Sequence, residues 1–466
     1  MPPSIFVDFT LPNSATWFYV SFFLVVALFY HFGRPWAVRN WDLLALFLFV
    51  PGFLLIQESN QLPAGPRAGR ERFAGYAWLL GASLLWFVRC LLDLAFARRP
   101  VAAPNLSPAG LAWLGGALFV GLTAVAYTRP DDPWGPVGKR PAVVSGVESG
   151  AAAVVAHTQP EVSPPEARFW VERTLALVCH AAVVAGLVLT GWRQFGDLPT
   201  GLAAGVLYLL VPYTGYHIGQ LHHVLPAALI LWAVCLFRHP LLAGVLLGLA
   251  AGTAFFPLLL VPAWTQFYWG RGLGRFAAGF LLAGLLGLVL TLYVVAASGQ
   301  FPDGVWRTLN LSDWQPWRSP TADSIWTGAH WAYRLPVFVL YAGFVVTILF
   351  WPPVRNLGQL LAATAATLIG IQFWFADRGG QYVLWYAPLL ILIVLRPTLS
   401  EQRPADPGPL PGWITWAVRW PLRRLGLLGP PADVSDLPTP SSLTPRVTGL
   451  ADPVHAWYNP AGGVRP

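Results

Sequence analysis

The chain has 466 residues, 56% of them apolar, 14% aromatic and only 11% charged, against about 25% charged in an ordinary soluble domain. Mean hydropathy is +0.55, and many apolar runs approach or exceed the ~20 residues needed to cross a bilayer. This composition excludes a soluble enzyme and predicts an all-α, polytopic transmembrane helical bundle of about 11–13 spans. The formal charge of +8 is carried almost wholly by arginine, with Lys139 the only lysine. Spread over many short loops, it reads as a topology signal and not as a nucleic-acid footprint.

The N-terminal "MPPSIFVDFTLPNSATW" lacks a basic n-region, so the first apolar run is expected to remain as a span. Predicted spans cover 15–32, 41–57, 73–96, 109–128, 169–191, 199–216, 222–237, 240–253, 257–269, 276–297, 335–352, 357–375 and 381–396. Gly252 and Pro257 favour a break within 240–269, giving two short helices in place of one long one. A double crossing there puts Arg34, Arg39, Arg98, Arg99, Arg193, Arg238, Arg271, Arg275, Arg355 and the arginine-rich tail on one side. Arginine-biased short loops mark the cytoplasmic side. The N-terminus, 58–72, 129–167, 217–221, 298–333 and 376–380 then face the opposite side, with Arg67, Arg70 and Arg72 against the trend.

Three regions follow: N-terminal transmembrane helices 1–108, a core 109–396 with outer-face loops 129–167 and 298–333, and a Pro-rich cytoplasmic tail 397–466. The 129–167 loop reads as linker-like, and the tail as largely disordered. Within the tail, Trp413, Trp416 and Trp420 beside Arg419, Arg423 and Arg424 suit either a short interfacial helix over 412–426 or a loose basic-aromatic linker.

Ionisable residues at membrane depth each need a reading. Arg89 and Asp93 are four apart and form a structural ion pair on one helix. His180 is expected to make an interhelical hydrogen bond. Asp42 is expected to serve a helix start. Cys90, Cys179 and Cys235 all fall in apolar runs, which argues against a disulfide framework.

Three stretches carry candidate chemistry. "RPDDPWGPVGKR" holds Asp131 and Asp132, either a solvated turn or carboxylates for a general base or a divalent cation. The stretch 301–336 interleaves Trp306, Trp314, Trp317, Trp326 and Trp331 with Arg307, Arg318 and Arg334. It reads either as an interfacial aromatic belt or as a site for a phosphosugar or lipid-phosphate head. "YTGYHIGQLHHVLP", 213–226, holds His217, Gln220, His222 and His223. On a continuous helix Tyr216, Gln220 and His223 share a face, and adjacent histidines point apart, which argues against metal ligation.

Pro212, Gly219, Gln220, the "AGVLLGLAAG" run and Pro257 occur in an order and spacing that resembles the C superfamily of membrane glycosyltransferases, of the polyprenol-phosphate-mannose-dependent mannosyltransferase type. The resemblance covers roughly 165–297 and more loosely 110–396. It departs from the family pattern in lacking a basic residue in "GTAFFP" and a Tyr-Pro-Pro-like stretch, and in carrying at least three extra leading spans. It implies a glycosyltransferase-C-like core and sugar transfer from a polyprenyl-phosphate donor to a glycan or lipid acceptor at the outer face. In that reading Asp131 or Asp132 is the catalytic base. Arg307 and Arg318 contact phosphate, Gln220, His222 and His223 line the donor head, and Trp314 and Trp317 offer sugar platforms. The expected partners are membrane lipid, the polyprenyl-phosphate sugar and its acceptor, with no nucleic acid. No cofactor is expected; a divalent cation is possible but not supported by the residues. The expected location is a bacterial inner membrane. A non-catalytic membrane protein of the same fold and a transporter remain the alternatives.

Overall fold

The computed structural model describes residues 14–95, 104–128, 142–158, 161–297, 315–351 and 353–404. Asp131, Asp132, Arg307, Trp314 and the 412–426 segment lie outside the described residues. Each predicted apolar run is helical, and no strand occurs among the described residues. Backbone N–H and C=O groups find no water in hydrocarbon, so a chain this apolar satisfies them within helices.

The first helices are α1 (Ser14–Phe29), α2 (Val38–Leu46), α3 (Phe49–Gln61), α4 (Pro66–Ala95), α5 (Pro108–Thr128) and α6 (Ala142–Thr158). Next come α7 (Pro164–Arg193), α8 (Leu198–Leu210), α9 (Pro212–Tyr216), α10 (Leu221–Cys235) and α11 (Pro240–Thr253). A 3-10 turn (Phe256–Leu260) leads into α12 (Val261–Phe267), followed by α13 (Leu273–Ala297), α14 (Leu335–Ile348), α15 (Leu357–Trp374) and α16 (Ala387–Leu395). Among the described residues, seven helical segments are long and apolar enough to cross a membrane, including Val38–Gln61, Pro66–Ala95 and Pro164–Arg193. These features define an integral membrane helical bundle.

The helices run between two ends of the bundle. At one end Tyr268 donates to the Phe237 carbonyl (2.6 Å), Val354 N–H to Gln266 Oε1 (2.8 Å), and Arg238 to Gln402 Oε1 (2.6 Å). This arginine end gathers 30–40, 193–198, 235–240, 266–273, 353–357 and 396–403. At the other end Arg72 pairs with Asp323 (2.6 Å) and Gln381 donates to the Tyr76 hydroxyl (3.1 Å). The 240–269 region leaves the arginine end as α11, breaks at 254–255 and returns as α12 to the same end, so the predicted break is present, while both arms are shorter than the full crossings expected of them. The break is real because Pro257 lacks the N–H a continuing helix would need.

Close packing fixes that hairpin. A Cβ on Gly279 of α13 would lie 2.1 Å from the Leu241 carbonyl oxygen of α11, so only glycine lets the two backbones approach.

Three expectations are corrected. The 129–167 stretch is not wholly linker-like, since 142–158 is the helix α6. Its "GAAAVVA" run has strong helix formers, and Ala152 packs with Ala167 and Val171 of α7. Tyr216, Gln220 and His223 do not share one helix, because the chain turns between α9 and α10. Asp42 is not a helix-start charge. It accepts two hydrogen bonds from Arg89, at 2.7 and 2.9 Å.

The predicted Arg89–Asp93 pair is present at 3.1 Å, inside a larger network. Arg396, at the end of α16, also binds Asp93 through Nε at 3.1 Å. Asp93 and Arg396 are each 2% exposed. A buried charge left alone is costly, so the four groups are held as one alternating set.

Candidate functional site

The helices α8, α10, α11 and α16 have 13, 15, 14 and 9 residues. At about 1.5 Å per residue they fall short of a ~30 Å hydrocarbon core. All four reach the arginine end, so their opposite ends stop at membrane depth. The N-termini of α10 and α16 and of the Phe256–Leu260 turn converge there, and helix N-termini carry partial positive charge.

The side chains at this depth form one continuous stack. His217 and His223 lie ring to ring at 4.2 Å, and His223 stacks on Tyr382 at 5.2 Å. Tyr382 stacks on Trp385 at 4.1 Å, and Trp385 on Phe256 at 3.7 Å. Both faces of Tyr382 and Trp385 are thereby covered, so these rings fix the wall of the site. His222 leans on His223 at 4.3 Å. Adjacent histidines were expected to diverge. At the first turn of α10 they instead lie side by side, His223 buried and His222 half-buried. Gln220, the residue before α10, shares a 2.7 Å hydrogen bond between its Oε1 and His217 Nδ1.

The "DRGGQY" turn, 377–382, brings the cation. Arg378 has φ +54°, a left-handed conformation rare for a side chain larger than glycine, and Gly380 follows at φ +98°. Its N–H donates to the Asp323 carbonyl at 3.0 Å, and its guanidinium lies within electrostatic reach of His223 and Tyr76. A strained residue persists where its surroundings over-determine it, which is common at binding sites.

The predicted phosphate ligand Arg318 reaches this end but is engaged. Its Nη2 binds Asp377 Oδ2 at 3.1 Å and the Thr321 hydroxyl at 2.7 Å. Asp377 also accepts from the backbone N–H of Thr321 and Ala322. Asp323 is held by Arg72. Arg334 is buried and donates to the carbonyls of Pro316 and Arg318, closing the 315–334 segment over this end. Trp317, on that segment, is 59% exposed.

His223 Nδ1, Trp385 Nε1 and the Tyr213 hydroxyl are buried at this level and have no hydrogen-bond partner among the described residues. Buried polar groups are normally paired, so each asks for a partner such as a ligand or ordered water. His180 meets its expectation, with Nδ1 2.8 Å from the Tyr208 hydroxyl between α7 and α8. Sequence reasoning missed Arg378, Tyr382 and Trp385. The available signal was "DRGGQY", a charged, glycine-rich interruption between two apolar runs.

No protein-family model, curated protein or solved structure matches the chain.

Proposed function

We propose that the chain is an integral membrane glycosyltransferase that takes its sugar from a polyprenyl-phosphate donor, with the histidine–Arg378 layer holding the donor's phosphate. The observation that carries this reading is the buried His223, with its unpartnered Nδ1, at a level where two α-helix N-termini converge beside the half-buried Arg378 of the 377–382 turn. The guanidinium and the helix N-termini favour an anion, and His223 can donate to one in its Nδ1–H tautomer. A polyprenyl tail suits the apolar helices around the site, and the exposed Trp317 face suits a sugar ring.

In this reading Gln220 and His222 line the head group beside His223. Arg378 and His223 stabilise the phosphate as it leaves. The base is assigned to Asp131 or Asp132, since Asp323 and Asp377 are already committed to Arg72 and Arg318. The base withdraws the acceptor hydroxyl proton as oxygen attacks the anomeric carbon and the sugar–phosphate bond breaks.

The test is transfer of a radiolabelled sugar from polyprenyl-phosphate donors by the purified chain in lipid nanodiscs. Transfer that falls at least a hundredfold in the Asp131→Asn/Asp132→Asn double variant supports the assignment. Wild-type turnover in that variant removes it.

Half-length helices with converging N-termini also favour a second reading, a carrier for a small anion. Proteoliposome uptake of a phosphorylated sugar without bond cleavage would select it.

A further inference from the structure

At the arginine end, remote from the histidine layer, a groove of about 600 Å³ lies between the ends of α12 and α14. That volume falls in the range of small-molecule sites. Its walls combine Phe267, Trp269 and Phe350 with Arg271, Arg355 and Arg403. Among the described residues, no acidic side chain lines it. Among the described residues neither Arg355 nor Arg403 has an ion-pair partner. Glu401, two residues before Arg403, is not in the lining.

The cations are set on an anchored frame. Val354 N–H donates to Gln266 Oε1 at 2.8 Å, tying the Arg355 loop to α12. Leu357 N–H donates to the Gln402 carbonyl at 2.8 Å, and Arg238 holds the Gln402 side chain at 2.6 Å, which fixes the neighbour of Arg403. Arg271 sits on a turn closed by its N–H to the Tyr268 carbonyl at 2.9 Å. The apolar side is open, with Trp269 70% and Phe350 74% exposed. Exposed tryptophans at the ends of spans mark the headgroup level.

We propose that this groove is a binding site for an anionic phospholipid of the leaflet at the arginine end. The phosphate would sit among Arg271, Arg355 and Arg403, and an acyl chain would lie along Phe267, Trp269 and Phe350. Charge complementarity selects this occupant. Guanidinium forks match phosphate oxygens, and basic pockets between helices at the membrane surface bind anionic head groups. A soluble anion would leave the aromatic wall uncovered, and a neutral lipid would leave the arginines unmatched.

Native mass spectrometry of the purified full-length chain, titrated with phosphatidylglycerol or phosphatidylcholine of matched chains, tests the site. The expected result is at least fivefold preference for phosphatidylglycerol. The Arg355→Gln/Arg403→Gln variant should lose roughly tenfold to thirtyfold of that affinity, at about 1 kcal/mol per arginine. The Arg355→Lys/Arg403→Lys variant, which keeps the charge but loses the guanidinium fork, should fall between wild type and the glutamine variant. Inorganic phosphate at millimolar concentration should not compete. Wild-type protein alone decides the headgroup question: equal retention of the two lipids overturns the proposal. So does competition by free phosphate. If anionic lipid binds only after removal of residues 405–466, the tail is the occupant and the proposal falls.

Discussion

The two ends of the bundle handle charge in opposite ways. At the histidine end, arginines are matched with acids: Arg72 with Asp323, Arg318 with Asp377, and Arg67 with Glu71. Arg378, on the 377–382 turn of the same end, is set by its left-handed backbone. At the arginine end, among the described residues, acid–base pairing is concentrated in one buried set, Asp42–Arg89–Asp93–Arg396, and the surface cations Arg355 and Arg403 line a groove with no described acidic side chain. One end therefore pairs arginines with acids in partly exposed ion pairs around a stacked histidine layer. The other locks its helices from inside and presents positive charge outward.

Four substitutions would break or sharpen that contrast. The largest effect is expected for Asp93→Ala. It strands the buried Arg396 and leaves Arg89 only Asp42, and removing one partner of a buried charge set costs about 3–5 kcal/mol. Loss of the monodisperse peak on size exclusion, or a large fall in thermal unfolding temperature, would check it. A variant as stable as wild type would mean the network does not lock α2, α4 and α16 together.

Gly279→Val comes next. Its side chain would meet the Leu241 carbonyl at the close α11–α13 crossing, and overpacking of this kind costs about 2 kcal/mol. Thermal unfolding in detergent measures it. An unchanged midpoint would contradict the packed hairpin.

Arg378→Gly separates fold from function at the histidine end. Glycine relieves the left-handed backbone, so stability should hold or rise by about 1 kcal/mol. Donor binding should nevertheless fall at least tenfold. A stable variant that binds as tightly as wild type would remove Arg378 from the site.

Trp317→Ala should be smallest for stability, within about 0.5 kcal/mol, because the ring is mostly exposed. A raised KM for the sugar donor, with no change in unfolding, would distinguish a sugar platform from a belt residue. An unchanged KM would favour the belt.

Much of the architecture was legible in the sequence because the bilayer imposes it. Apolar run length located the helices, though seven of the described segments and not 11–13 are long enough to cross, and Gly252 with Pro257 marked the break in 240–269, both being local signals. His180 was legible too, since an isolated polar group among apolar neighbours needs a partner from another helix. What failed to show was long-range or conformational. Asp93 and Arg396 are separated by 303 residues, and no spacing rule reaches that far. Asp42 looked like a helix-start charge only because its partner Arg89 comes from another helix. The pairing of His222 with His223 depends on the turn that breaks α9 from α10, where a continuous helix would have splayed them. Arg378 was hidden because its importance lies in a positive φ, which no side-chain pattern announces. The helix α6 was masked by a composition of Ala, Gly and Val that suits a linker until α7 provides a face to pack on.

The central claim is that the histidine end binds the anionic head of a lipid-linked sugar. The most direct measurement is the affinity of a polyprenyl-phosphate sugar for the chain in nanodiscs, compared between wild type and His223→Ala/Arg378→Gly. The account predicts saturable binding by wild type and at least a tenfold loss in the double variant, with phosphatidylglycerol retention at the arginine end unchanged. Equal affinity in the two proteins, with both folded, would contradict it.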